Sequence, residues 1–290
     1  MKTIDLLKKI KRLEIKTKGL TKQIFSGEYH SAFKGKGMAF SEVRNYHYGD
    51  EVRTIDWNVT ARFNEPFVKV FEEERELTVM LIIDLSGSDT FGTKGKTKKE
   101  LALEIAAVLS FSAINNNDKI GAIFISDRVE KYIPANKGRK HALFILRELI
   151  EFEPESLKTD LGEGLKFFRN TQKKRTICFV ISDFIDENDF LNPIQLNNKM
   201  HDMVAIVLKD KGEAVIPKMG IVQVKNLESG KLSWVNTNNE DVREAYANNF
   251  NKHQELIMNS FRKSGIDHAL IATDEDLVLP LVSLFKHRKK

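Results

Sequence analysis

The sequence holds a single cysteine, Cys178, in 290 residues, so no internal disulfide can form. No apolar run reaches the ~18 residues that a membrane helix needs. The first stretch, MKTIDLLKKIKRLEIKTK, mixes Lys with Leu and Ile and has no signal-peptide h-region. These absences make a cytoplasmic protein the expectation. The seven histidines are scattered without HxxxH or HExxH spacing, and no Cys/His constellation suits zinc. No P-loop, GxSxG elbow or catalytic His arrangement is present. There is no internal repeat and no low-complexity linker.

What is there is a chain of ordinary apolar content with 30% charged residues and a net charge of +5. Its length suits one large or two modest domains. Positive charge gathers at the ends. Residues 1–36 carry ten Lys/Arg against three Asp/Glu, and Lys286-His287-Arg288-Lys289-Lys290 closes the chain. Solvated basic ends are the simplest reading, contact with an acidic partner the next. Nucleic-acid binding is weaker, because no recognition module accompanies the charge.

Helical spacing of Ile4, Leu7, Ile10 and Leu13 predicts a helix over 3–16, packed on the protein's own body. Residues 25–77 are Gly-rich and interleave charges with aromatics, which predicts a small β-rich appendage with a strand over 66–71. Asp50, Arg53 and Asp56 within it are read as a buried ion-pair network, with a ligand site as the alternative. From residue 78 strands and helices alternate: strands at 78–84, 119–126, 175–183, 203–208 and 269–272, helices at 98–115, 138–152, 159–168, 188–198, 241–263 and 275–285. Val129–Pro134 reads as an edge hairpin partner, and 209–238 as a β-meander. The expectation is an α/β domain over 78–290 with a mostly parallel sheet covered by helices, and an appendage over 1–77. Cys178 falls in a predicted strand, as a small core residue.

The apolar run Val79–Ile83 breaks into Asp84-Leu85-Ser86-Gly87-Ser88. In open α/β sheets, ligands bind beyond the carboxyl ends of the strands. Thr159 opens a later helix, and Asp183 ends another buried strand. If those strands are neighbours, Asp84, Ser86, Ser88, Thr159 and Asp183 gather two carboxylates and three hydroxyls. An all-oxygen set with few charges suits Mg2+, with Mn2+ or Ca2+ as alternatives. The simpler account makes the hydroxyls turn caps and the aspartates mere strand ends.

This pattern, Asp84-x-Ser86-x-Ser88 with Thr159, Leu165 and Asp183, resembles the metal-ion-dependent adhesion motif of von Willebrand factor type A domains. Phe40-Ser41-Glu42-Val43-Arg44-x-Tyr46-x-x-Gly49-Asp50-x-x-Arg53-x-Ile55-Asp56-Trp57, with Ala61-Arg62 and Glu228-Ser229-Gly230, resembles domain-of-unknown-function family 58, a von Willebrand A-like bacterial family. The likeness runs from about residue 18 to the end of the chain. It implies a non-enzymatic interaction module whose Mg2+ is completed by a carboxylate from a protein partner. The family's association further implies an adaptor or chaperone-like role beside a MoxR-type AAA+ ATPase. The family often carries Met after the second motif serine, where this chain has Asp89. Asp89, Arg44, Asp50 and Arg53 are candidates for partner contact. The alternative is an Mg-dependent hydrolase or phosphatase using the same strand-end aspartates. Ser86 argues against it, because the haloacid-dehalogenase type has a second Asp two residues after its nucleophile.

Overall fold

A computed structural model describes residues 39–72, 77–87, 96–186, 188–225 and 232–288. The helix expected over 3–16, Ser88, Asp89 and Glu228–Gly230 lie outside the described residues. The contacts divide the chain into two units, one within Phe33–Leu77 and the other taking in Thr78–Lys290.

In the smaller unit, β1 (Ala39–Asn45) pairs antiparallel with β2 (Phe67–Glu72), with a register shift between Phe40 and Glu42. A helix that the sequence pattern does not announce, α1 (Trp57–Phe63), lies between them. Its signal is local: Asp56 accepts from the N–H groups of Asn58 and Val59, and Asn64 closes the helix in the left-handed conformation at φ 56°. The aromatic and β-branched content of that stretch masks it.

The larger unit is built on a six-stranded sheet. Its strands are β3 (Thr78–Asp84), β4 (Lys119–Ile125), β5 (Val129–Asn136), β6 (Ile177–Ser182), β7 (Asp202–Lys209) and β10 (Asp267–Ala272). They lie in the order β10-β7-β6-β3-β4-β5, parallel except for β5, which returns antiparallel at the edge. Counted within the sheet alone, this is the doubly wound order 3-2-1-4-5-6. It is the mostly parallel, helix-flanked sheet that the resemblance implies.

Burial on both faces makes the inner strands β3, β4, β6 and β7 continuous apolar runs rather than alternating ones. Met80 and Ile82 of β3 point to one face, where they meet Leu161, Leu165, Phe168, Ile257 and Phe261. Those residues come from α4 (Leu161–Thr171) and α6 (Glu240–Lys263). Cys178 belongs to the same cluster, fully buried as expected, and burial pushes its thiol well up. On the other face run α2 (Lys98–Asn115) and α3 (Arg139–Glu151), which pack on each other and on β4. Helix α2 is buried nearly all round, from Leu101 to Ala113, so it shows no amphipathic stripe. Each such Leu or Ile, wholly removed from water, contributes roughly 1.5–3 kcal/mol.

Helix α5 (Leu191–Asn198) starts three residues later than the expected 188, and α7 (Val278–His287) ends the described chain. Over 209–238 the described residues form one antiparallel pair, β8 (Ile221–Lys225) with β9 (Leu232–Asn236), where a meander is expected. A meander needs a third strand, and Pro217 with Gly220 breaks the segment before one can form.

Candidate metal centre

The strand order reverses between the parallel neighbours β3 and β6, the chain adding strands outward on one side of β3 and then on the other, and such a switch point is where doubly wound sheets open a crevice. Both motif aspartates sit there. Asp84, the last residue of β3, is 1% exposed. Its Oδ1 accepts from the Ser86 N–H at 3.0 Å, and its Oδ2 accepts from the Ser182 hydroxyl at 2.6 Å. Ser182 is the last residue of the neighbouring β6, so this bond staples the two strand ends. The Ser182 oxygen also accepts from the Phe184 N–H at 2.9 Å.

Asp183 follows β6 and is equally buried. Its Oδ1 accepts from the Ile185 N–H at 3.0 Å, and its Oδ2 from the Lys98 ammonium at 2.7 Å. The next residue, Phe184, has φ 57°, a left-handed conformation that a bulky side chain rarely adopts. Fully buried contacts with Phe190 and Phe261 hold it there. The backbone therefore turns sharply just after Asp183, a strained local geometry of the kind found at binding sites.

The third stretch arrives through backbone bonds. The Gly87 N–H donates to the Leu157 carbonyl at 2.9 Å, tying the loop after β3 to the segment that holds Thr159. The Asp160 N–H donates to the Ser126 carbonyl at 2.9 Å, and Asn188 Nδ2 donates to the Thr159 carbonyl at 3.1 Å. Thr159 is itself buried. Asp160, not Thr159, caps α4, accepting from the Glu163 N–H at 3.0 Å, which leaves the Thr159 hydroxyl uncommitted to capping. Helix α4 lies so close to β4 that a Cβ on Gly164 would fall 2.7 Å from Ile125 Cγ2. Asp84, Ser86, the Thr159 segment and Asp183 thus meet at one sheet edge, while Ser88 and Asp89 lie outside the described residues.

Three further residues belong to this centre without being marked by the sequence pattern. Lys98 is wholly buried, and its ammonium bridges Asp183 and Glu213. Glu213 ends the 3₁₀ turn Lys211–Glu213 after β7, where its other oxygen accepts from the Asp210 N–H at 3.1 Å. Ser182 is the third. Lys98 carries one readable signal: it is the first residue of α2, where a cation opposes the helix dipole and needs anions nearby.

Electrostatically the centre has more buried negative than positive charge. Burial pushes the Asp84 carboxyl up to about 7, and the Asp183 charge adds to this against the hydrogen bonds from Ser182 and Ser86. Burial also raises Glu213, with Lys98 pulling the other way. Lys98 is disfavoured by burial, but Asp183 and Glu213 more than offset that and hold it above the ordinary lysine value. The donors are all oxygen, and carboxylate oxygens keep a second lone pair after accepting one bond. This set fits a hard divalent cation. Among the described residues no three His, Cys, Asp or Glu side chains cluster as metal ligands, so any site here is the sparse aspartate-and-hydroxyl kind.

The partner-contact candidates of the smaller unit form a different arrangement. Arg44 grips Asp50 with two bonds of 2.7 and 2.8 Å, and Asp50 also accepts from the His47 N–H at 2.8 Å. Arg53 is exposed in the 3₁₀ turn Val52–Thr54, and Asp56 is taken up by capping α1, with Lys69 at 3.5 Å. The expected buried network of Asp50, Arg53 and Asp56 is therefore corrected to separate local contacts. Asp50 is satisfied by Arg44 and the His47 N–H and Asp56 by its cap and Lys69, which leaves Arg53 in water.

No helix among the described residues is long and apolar enough to cross a membrane. The family described as "Protein of unknown function DUF58" matches residues 42–256. "Uncharacterized protein Rv1480" of Mycobacterium tuberculosis is 27% identical over 283 residues, covering 97% of this chain and 89% of that one. "Uncharacterized protein YeaD" of Bacillus subtilis is 28% identical over 109 residues, 38% of this chain and 25% of that one. Among solved structures, BatB from Bacteroides thetaiotaomicron aligns at 14% identity with a TM-score of 0.48, covering 73% of this chain and 98% of that one. The SpRpn10 VWA domain aligns at 13% identity and a TM-score of 0.39, covering 71% and 94%.

Proposed function

This chain belongs to the DUF58 family, and we propose that it is a non-enzymatic protein-interaction module whose binding centre is the switch-point cluster of Asp84, Ser86, Thr159 and Asp183, with Ser88 as a further ligand. The observation that carries the reading is the pair of buried aspartates, Asp84 and Asp183, stapled side by side at adjacent strand ends with an excess of negative charge. Those residues would hold Mg2+, with Mn2+ or Ca2+ as alternatives. When bound, the cation supplies a Lewis-acidic position for one carboxylate oxygen of a protein partner.

The chain's own residues do the rest. Ser182 and the Ser86 N–H fix the Asp84 carboxylate, and the turn at Phe184 aims Asp183. Burial excludes water and strengthens charge recognition. On the β8–β9 hairpin, Ile221, Leu232 and Trp234 are 60–70% exposed on one face, a further apolar surface of the kind that marks partner contact. The adaptor or chaperone-like role beside a MoxR-type AAA+ ATPase is part of this proposal, as is a cytoplasmic setting.

The hydrolase alternative requires Asp84 to present an oxygen to substrate. Both of its oxygens already accept hydrogen bonds in a buried position, which favours holding a ligand over attacking one.

A pull-down from native cells with Mg2+ or with EDTA, read by mass spectrometry, tests the proposal. A specific partner should be retained with Mg2+, released by EDTA, and lost from Asp84→Ala with the fold intact. Retention unchanged in Asp84→Ala would sink it.

A further inference from the structure

Lys98 belongs to the centre, yet the proposed function does not use it. It is long, wholly buried and cationic, and it sits on Asp183 at 2.7 Å, an oxygen of the same carboxylate that a metal would take. Its second anchor, Glu213, lies outside the motif, on the turn after β7. That turn is held rigidly: Asp210 accepts from the Gly212 N–H at 2.7 Å and from the Thr273 hydroxyl at 2.5 Å. The ammonium thus has two fixed anions, one inside the metal set and one outside it. A cation arriving at Asp183 meets a like charge at ion-pair distance, and Glu213 offers that charge somewhere to stay.

We propose that Lys98 is the positioning and charge-setting residue of the metal centre: its ammonium competes with the cation for Asp183 and sets the centre's affinity below what its carboxylates alone would give, while Glu213 draws it off Asp183. This rests on the proposed metal role of Asp84 and Asp183. It assigns opposite effects to two residues that touch each other. Removing the ammonium strengthens metal binding, whereas neutralising Glu213 leaves the ammonium on Asp183 and weakens it. A merely structural ion pair has no such sign: loss of either member would loosen the fold and weaken any binding.

Mn2+ alone is the probe, titrated into the full chain and followed by the loss of the free-ion electron paramagnetic resonance signal. Lys98→Met should bind Mn2+ about tenfold or more tighter than the native chain, and Glu213→Gln several-fold weaker. Thermal melts give a second readout, since Mn2+ should raise the melting temperature more in Lys98→Met than in the native chain. Asp84→Asn should bind least of all. Weaker or unchanged binding in a folded Lys98→Met overturns the inference and leaves the metal site standing. If Lys98→Met does not fold, stronger or unchanged binding in Glu213→Gln overturns it alone. Absence of Asp84-dependent Mn2+ binding from every chain, Lys98→Met included, overturns the metal site itself and this inference with it.

Discussion

Asp84 and Asp50 are the same side chain in two surroundings, and the structure drives them in opposite directions. Asp50 sits at the surface of the smaller unit, where the Arg44 guanidinium first and the His47 N–H second hold its carboxyl down to about 2. Asp84 sits under the end of β3, where burial and the neighbouring Asp183 push it up to about 7. The first has a private counter-ion and ample water. The second shares one lysine with two other carboxylates, and that lysine touches only the other two. An acid–base cluster in the sequence says nothing about which case applies. What separates them is solvent, because a buried charge must be balanced by its neighbours while an exposed one is balanced by water.

The largest effect should come from stripping a buried partner. Asp183→Ala leaves the Lys98 ammonium buried with Glu213 alone, and breaking a buried pair costs about 3–5 kcal/mol. Denaturant unfolding of the sheet unit should show a loss of that size, and a loss below about 1 kcal/mol, no more than a surface pair gives, would erase the distinction between buried and exposed carboxylates.

Next comes pH. A carboxyl raised in the folded state favours folding below its unfolded value, near 3.8, and that contribution is lost as pH rises through about 7. In EDTA the native chain should therefore lose stability between pH 4 and 7, on the order of a few kcal/mol. Asp84→Asn should flatten that slope, and an unchanged slope in thermal melts would remove Asp84 from the account.

The smallest effect belongs to the surface. Arg44→Ala should leave the melting of the sheet unit unchanged, since exposed pairs contribute little. For Asp50 the sign reverses: the depressed carboxyl adds stability above its unfolded value near 3.8, lost as pH falls toward 2, so any change from Arg44→Ala in the smaller unit should appear above about pH 4 and vanish in acid.

Much of the fold is legible in the order of the residues. The run Val79–Ile83, the break at Asp84 and the helix from Lys98 to Asn115 follow from local pattern, and the observed bounds of β3 and α2 agree with it. Whether the strands before Asp84 and Asp183 are neighbours is a condition that order along the chain leaves open, and the pairing of β3 with β6 meets it. What the pattern does not reveal is whatever depends on contacts between distant residues. Lys98 lies 115 positions from Glu213, and Ser182 lies 98 from Asp84. Helix α1 is hidden for the opposite reason: its cap at Asp56 is visible but outweighed by β-like composition.

By itself, then, the sequence determined the alternation of strands and helices, because burial on two faces demands long apolar runs and their ends demand polar breaks. It also determined which oxygens stand at the strand ends. Tertiary structure alone decided what those oxygens experience. Folding brought a lysine from the start of α2 and a glutamate from beyond β7 to the same carboxylate, and it removed the water that would otherwise have balanced them. Charge balance in a buried place is a property of neighbours in space, and sequence distance carries no trace of it.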